Sequence, residues 1–331
     1  MNAEELERTY TKAAWAALEE FPLTVETVQL FSQSENLTFR VTTKDRDTDF
    51  VLRLHRPGYC TFEELKSERL WTSALKATGM TLQEAVETRD GGYYTLVDIP
   101  EISERRYAGM TTWQEGAPLR EFLDSCDDGP KRQQLMRRFG EMTAMCHEQS
   151  TNWEPPAEFT RRRLDLDALL GEAPFWGRFW EHPELDDDER QTLLRARSSL
   201  RNALETYGET PNNFSLIHAD LTPDNILYNG NDLVVIDFDD AAYGWHLYDI
   251  ASVLVECRFD DDFESLQSAF LDGYRQHREL SDRELGLLPD FDLVRGMAII
   301  GWYYQRPEYA GAEYFSKFKA WVVNECKQRG W

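Results

Sequence analysis

Between Leu216 and Asp240 the chain alternates short apolar runs with polar residues at set positions, and no other stretch limits its folding as strongly. Leu216-Ile217-His218-Ala219-Asp220-Leu221-Thr222-Pro223-Asp224-Asn225-Ile226-Leu227 is followed, after Asn229-Gly230, by Leu233-Val234-Val235-Ile236-Asp237-Phe238-Asp239-Asp240. The apolar run from Phe214 to Ile217 delivers His218 and Asp220 into a segment that Pro223 breaks. Asn229-Gly230 between two apolar runs predicts a tight hairpin joining strands over 226–228 and 233–236. Asp220 and Asn225 then stand on a loop, Asp237 ends a buried strand, and three oxygen-bearing side chains are expected to converge.

Such a set suits phosphoryl transfer, in which the protein mainly positions groups and neutralises charge. One carboxylate orients an attacking hydroxyl, while an amide and a second carboxylate hold magnesium, a hard cation that keeps several waters and needs few protein ligands. The order H-x-D-x-x-x-x-N followed by I-D-F-D resembles the catalytic and metal loops of the aminoglycoside phosphotransferase and homoserine kinase superfamily. The resemblance implies an α+β chain of bilobal, protein-kinase-like fold, with a small antiparallel-sheet N-terminal lobe and a larger, mostly helical C-terminal lobe. It places the nucleotide-binding lobe in residues 1–110 and the helical lobe, with the catalytic and metal loops and the acceptor site, in 111–331. The implied cofactors are ATP and Mg2+. Asp220 is the implied catalytic residue, Asn225 and Asp237 the metal ligands, and Asp239 a further metal ligand or an acceptor contact. His218 and Asp249 are implied as supports of the loop.

Composition bounds the rest. A chain of 331 residues with 41% hydrophobic and 13% aromatic residues is long enough for two lobes and rich enough in apolar groups to fold. Thirty-six basic against sixty acidic residues leave a net charge of -24, which argues against nucleic acid or an anionic membrane as partner. Neither a signal peptide nor a membrane-spanning run is legible, and the five scattered cysteines form no C-x-x-C pair, so a reduced cytoplasm is the expected compartment. The same acidity repels ATP, so a nucleotide site must carry its own cations. The acidity also admits two readings, a cationic acceptor or a solvated surface.

The N-terminal half supplies candidate cations and a phosphate turn. Asn2 followed by Glu5 predicts the start of a helix over 2–20, and Thr61 followed by Glu64 predicts another. Strands are expected over 28–31 and 37–42, and Ser34 and Asn36 in the turn between them resemble the family's glycine-free phosphate loop. No P-loop or dinucleotide fingerprint occurs anywhere. Arg53 interrupts the apolar strand Phe50-Val51-Leu52-Arg53-Leu54, and a cation there is costly unless paired. The resemblance puts a phosphate-contacting lysine at this position and a glutamate on the next helix, which assigns Arg53 and Glu68 to nucleotide binding. Arginine keeps the charge but not the geometry of lysine. Further strands are expected over 81–86 and 93–97. The backbone groups of Thr112 and Gln114, ahead of Gly116, resemble the lobe connection that holds adenine.

The C-terminal half reads as helices over 131–149, 164–181 and 187–207, with Trp176, Phe179 and Trp180 as core aromatics. His147 resembles a residue packed beneath the catalytic loop. The acidic runs 186–189 and 260–262 look like exposed helix starts without function. Acceptor-side candidates are Asp240, Tyr243, Trp245, Trp302, Tyr303 and Arg306. Carboxylates beside aromatic rings favour an amine-bearing acceptor, such as an aminoglycoside, an amino alcohol or a hydroxy amino acid. Three other readings stay open: a bacterial stress-response-type Ser/Thr protein kinase, a catalytically silent nucleotide-binding regulator, and an acidic interaction protein that ignores nucleotide.

Overall fold

The computed structural model describes every residue except Met1 and Glu35, so the middle of the expected phosphate turn lies outside the described residues. In chain order, α1 (Ala3–Leu18), β1 (Val25–Gln33), β2 (Leu37–Thr43), β3 (Phe50–Leu54), α2 (Phe62–Ala77), β4 (Tyr94–Ile99), β5 (Glu104–Thr112) and β6 (Ala117–Pro118) come first. Next are α3 (Leu119–Ser125), α4 (Gly129–Asn152), β7 (Arg163–Leu164), α5 (Leu166–Leu170), α6 (Asp187–Tyr207) and β8 (Phe214–Ile217). The chain then runs through β9 (Ile226–Tyr228), β10 (Leu233–Val235), β11 (Ala242–Trp245), α7 (His246–Glu256), α8 (Phe263–Tyr274), α9 (Asp282–Tyr304) and α10 (Glu313–Gln328). Two compact units result: residues 1–118, 155–160 and 227–239 form one, and residues 119–154, 161–226 and 240–331 the other.

The first unit is built on a five-stranded antiparallel sheet of order β1-β2-β3-β5-β4. Alternation sets its two faces. Leu37, Phe39 and Val41 of β2 and Phe50, Leu52 and Leu54 of β3 are buried against Ala13, Ala14, Ala17 and Leu18 of α1. Val51 and Arg53 therefore point to the opposite face, and β3 is an inner strand, so Arg53 cannot turn into open water as an edge residue would. Both expected capping boxes are present, Asn2 with Glu5 and Thr61 with Glu64. The strand expected over 81–86 is reduced to isolated bridges at Leu82 and Ala85. The long strand β5 was not legible, because Arg105 and Arg106 interrupt its apolar pattern. β6, β9 and β10 form a small second sheet of this unit.

The second unit is mainly helical. Gly140 of α4 and Gly273 of α8 let these helices touch, since a Cβ at either would overlap the facing backbone. β8, buried along its whole length, pairs antiparallel with β11, which pairs parallel with β7. The helix expected over 164–181 is only α5, irregular chain and a single 3-10 turn at Phe179–Glu181. Pro174 and Gly177 (φ +98°) disfavour a continuous helix there. The acidic run 260–262 has a structural role after all, because Arg120 and Arg132 share Asp260 at 3.0 Å each and Arg132 reaches Asp262 at 2.7 Å. Among the described residues no helix is long and apolar enough to cross a membrane.

Candidate active site

In the first unit, Arg53 organises the polar face of the sheet. Its Nη1 lies 2.8 Å from Asp237 Oδ1 and 3.2 Å from Asp239 Oδ1. Burial opposes the guanidinium charge, but Asp237, Asp239 and Glu68 outweigh it and raise the pKa, so Arg53 is always a cation. The expected pairing with Glu68 takes a different form. Glu68 is buried and adds its field, while the two aspartates supply the contacts within hydrogen-bond reach; Glu68 also lies 3.6 Å from Arg69. A small cavity is lined by Arg53, Glu68, Thr111, Asp237 and Phe238.

Asp237 and Asp239 are not equivalent. Asp237 has φ +64°, a left-handed conformation that costs a non-glycine residue of the order of 1–3 kcal/mol and persists only where its surroundings impose it. Its side chain is 37% exposed, against 10% for Asp239. Both oxygens of Asp239 face protein donors: Asn36 Nδ2 donates to Oδ2, while Arg53 and, at 3.7 Å, His55 face Oδ1. Asp239 is thus placed to tie the turn to the strand end rather than to meet a metal, and Asp237 is the more open carboxylate. His55, which the sequence did not single out, is buried here. Burial, against the pull of Asp239, holds its pKa down at about 4, so the ring is neutral at pH 7.

Of the other nucleotide candidates, Ser34 closes the turn through its N–H to the carbonyl of Asn36 at 3.2 Å. Asn36 Oδ1 accepts from the N–H of Arg56 at 2.9 Å. Thr112 and Gln114 are absent from the cavity lining. The carbonyl of Thr112 accepts from the Gln83 side chain at 3.4 Å, its N–H donates to Glu84, and Gln114 Nε2 donates to Thr112 Oγ1 at 3.3 Å.

In the second unit, β8 delivers His218 and Asp220 as the sequence implied. The Asp249 carboxylate, in the first turn of α7, accepts from the N–H of His218 at 2.9 Å and of Ala219 at 2.7 Å. This pins a loop in which Ala219 takes φ +68°. His147 Nε2 lies 3.2 Å from Asp249, its Nδ1 lies 2.9 Å from Tyr274 Oη, and its ring stacks on His246 at 4.4 Å. The side chains of His218 and His147 are both buried.

Asp220 itself has two partners. Asn225 Nδ2 donates to Asp220 Oδ2 at 2.9 Å and to its carbonyl at 2.8 Å. Both acceptors are oxygens, so the amide nitrogen must face them and the amide oxygen is left as the metal-capable atom. On the other side Arg295 Nη2 lies 2.5 Å from Asp220 Oδ1. Burial pushes the Asp220 pKa up, but Arg295, His218 and Asn225 outweigh it and hold it below the usual value. Arg295 was not legible as a site residue, although a lone cation in the apolar run Phe291–Ile300 is the signal that flagged Arg53.

Asp220 opens on a cavity of about 310 Å³, lined also by Asp224, Asp240, Glu256, Arg295, Trp302 and Tyr303, with Trp176 and Tyr314 among the remaining residues. Asp240, Trp302 and Tyr303 are thus brought together as expected. Trp245 is not: it is core, packed edge-on against Phe214 and Phe291 with its N–H donating to the carbonyl of Gly208. Tyr243 stands in β11 opposite Leu216, away from the lining. Arg306 stacks over the Trp302 ring at 4.1 Å instead of lining the cavity. Among the described residues no group of three or more His, Cys, Asp and Glu side chains is placed to hold a metal.

Comparisons with known proteins bear on the family and the fold. The solved structure of a microcompartment-associated aminopropanol kinase superposes with a TM-score of 0.80 at 28% identity, covering 95% of each chain. An uncharacterized protein of Deinococcus radiodurans is 27% identical over 299 residues, 88% of this chain and 81% of that one. A homoserine kinase of Rhizobium rhizogenes is 34% identical over 150 residues, which span 43% of this chain and 44% of that enzyme. The profile described as the phosphotransferase enzyme family matches residues 27–285. The chain therefore belongs to the phosphotransferase enzyme family, as an ATP-dependent kinase-like enzyme whose acceptor group is a hydroxyl.

Proposed function

We propose that this enzyme transfers the γ-phosphoryl group of ATP to a small alcohol that also carries an amine, and that Asp220 receives the hydroxyl proton. The acceptor oxygen forms the new P–O bond, the bond from the γ-phosphorus to the bridging oxygen breaks, and ADP leaves. The carrying observation is Asp220 itself: a carboxylate kept ionised and aimed by Arg295 and Asn225, on a loop pinned by Asp249, facing a cavity rich in carboxylates and aromatic rings. A positioned base of this kind contributes about 10²–10⁴ in rate.

Asn225 and Asp237 are the residues proposed to hold magnesium, through the amide oxygen left by the Asp220 contact and through the more exposed of the two aspartates. Magnesium, when bound, neutralises charge on the phosphate oxygens. Arg53 supplies the local cation that an acidic chain needs to attract nucleotide, with Glu68 sustaining its charge. The Ser34–Asn36 turn and the backbone of Thr112 and Gln114 are proposed for the phosphates and the adenine.

The amine follows from the cavity, which sets several carboxylates against one arginine, itself engaged with Asp220. The similar proteins reported above support it, since both aminopropanol and homoserine carry an amine beside a hydroxyl. The test is ATP consumption against amino alcohols, hydroxy amino acids, aminoglycosides and a serine-bearing peptide. Turnover with small amine-bearing alcohols is expected; turnover with the peptide alone would favour a protein kinase, and none with any acceptor a silent regulator.

A further inference from the structure

Glu256, the last residue of α7, lines the cavity beside Trp302 and Tyr303 and is absent from every role assigned above. Its Oε2 accepts from the hydroxyl of Tyr314 on α10 at 2.7 Å. Its Oε1 has no hydrogen-bond partner among the described residues. Of the other carboxylates on the wall, Asp220 is taken by Arg295, Asp224 is exposed to water, and the half-buried Asp240 is the competing carboxylate, which Glu256→Gln would leave in place. The aromatic alternative is weaker, because Arg306 already stacks over the Trp302 ring and that face has no room for a second cation. Burial raises the pKa of Glu256, an effect that Arg295 and Tyr314 only partly offset, so a further cation stabilises this carboxylate as well as the ligand.

Resting on the phosphotransferase reading above, we propose that Glu256, held in place by Tyr314, is the residue that takes the acceptor's ammonium group and so decides acceptor specificity. The cavity, of about 310 Å³, has room for an amino alcohol or a short hydroxy amino acid. Tyr314 anchors one carboxylate oxygen, so the other keeps a fixed direction and little side-chain entropy is lost on binding.

Ethanolamine and N-acetylethanolamine are suitable probes, since they share the hydroxyl and differ in the charge. The native protein is expected to bind ethanolamine in calorimetry more tightly than the N-acetyl compound. Glu256→Gln keeps the shape and the Tyr314 contact, and it should weaken ethanolamine about tenfold to a hundredfold while leaving the N-acetyl compound and the KM for ATP unchanged. Tyr314→Phe should give a smaller loss in the same direction. In turnover the loss should fall on KM for the amine rather than on kcat. Binding is read without catalysis, so absence of turnover in the native protein sinks the phosphotransferase reading, whereas unchanged amine preference in Glu256→Gln, by binding, sinks the assignment of Glu256. Equal binding of the two probes by the native protein would overturn it as well.

Discussion

Arg53 in the first unit and Arg295 in the second are both buried cations set in apolar stretches, and each is held by carboxylates, yet the two arrangements differ in kind. Arg53 is shared between Asp237 and Asp239, and its surplus of negative partners leaves Asp237 with an exposed side that a second cation can use. Arg295 is given to one carboxylate, Asp220, and lowers its proton affinity while fixing its direction. On the proposed function the same kind of ion pair prepares one site for cations and another for proton transfer, and what decides is the number of carboxylates per arginine and how open they are.

The contrast can be broken experimentally, starting where the effect is greatest. Asp220→Asn should retain ATP binding and lose turnover by about 10²–10⁴, as expected of a positioned base; near-native turnover would remove Asp220 from the chemistry. Asp237→Ala should abolish the extra thermal stabilisation that ATP gives with magnesium over ATP with chelator, where the magnesium complex at a hundred times its Kd stabilises by about 2.7 kcal/mol in all. Equal stabilisation with and without magnesium in the native protein would refute the metal assignment.

Arg53→Met removes the cation that Asp237 and Asp239 share and should destabilise the fold by about 1–3 kcal/mol while raising the KM for ATP. Arg53→Lys should keep measurable activity. Chemical denaturation and steady-state kinetics of the pair check this, and an unaffected Arg53→Met would place the phosphate contact elsewhere.

For Arg295 the readout is pH. Because the Asp220 pKa is lowered in the folded state, the stability from its ion pair is fully present above the unfolded carboxylate value of about 3.9 and is lost as pH falls through the lower folded value. The acid limb of kcat/KM should accordingly lie below the ordinary carboxylate range, and Arg295→Met should move it upward as burial takes over. A limb that stays in place would show that Arg295 has no electrostatic part.

His55 provides the smallest test. Its folded pKa of about 4 lies below the unfolded 6.5, so the unfolded chain binds the proton first and stability declines as pH falls from 6.5 towards 4. His55→Gln should make that decline shallower. An unchanged slope in urea titrations at pH 6.5 and 4.5 would contradict the buried, neutral ring.

The sequence alone determined the elements that local chemistry governs. The capping boxes at Asn2 and Thr61, the alternation in β2 and β3, the Asn229-Gly230 turn and the order of His218, Asp220, Asn225 and Asp237 are local patterns of side-chain spacing, hydrogen bonding and backbone preference. Tertiary structure alone decided the partners. Whether Arg53 would meet Glu68 or the aspartates, whether Trp245 would line a cavity or fill a core, and whether the hairpin 227–239 would join the first unit all depend on residues far apart in the chain. Arg295 and Glu256 carried a readable sign, a charge within or at the end of an apolar helix, but not the identity of what they face. A buried charge must find a partner, and only the packed chain determines which one lies within about 3 Å.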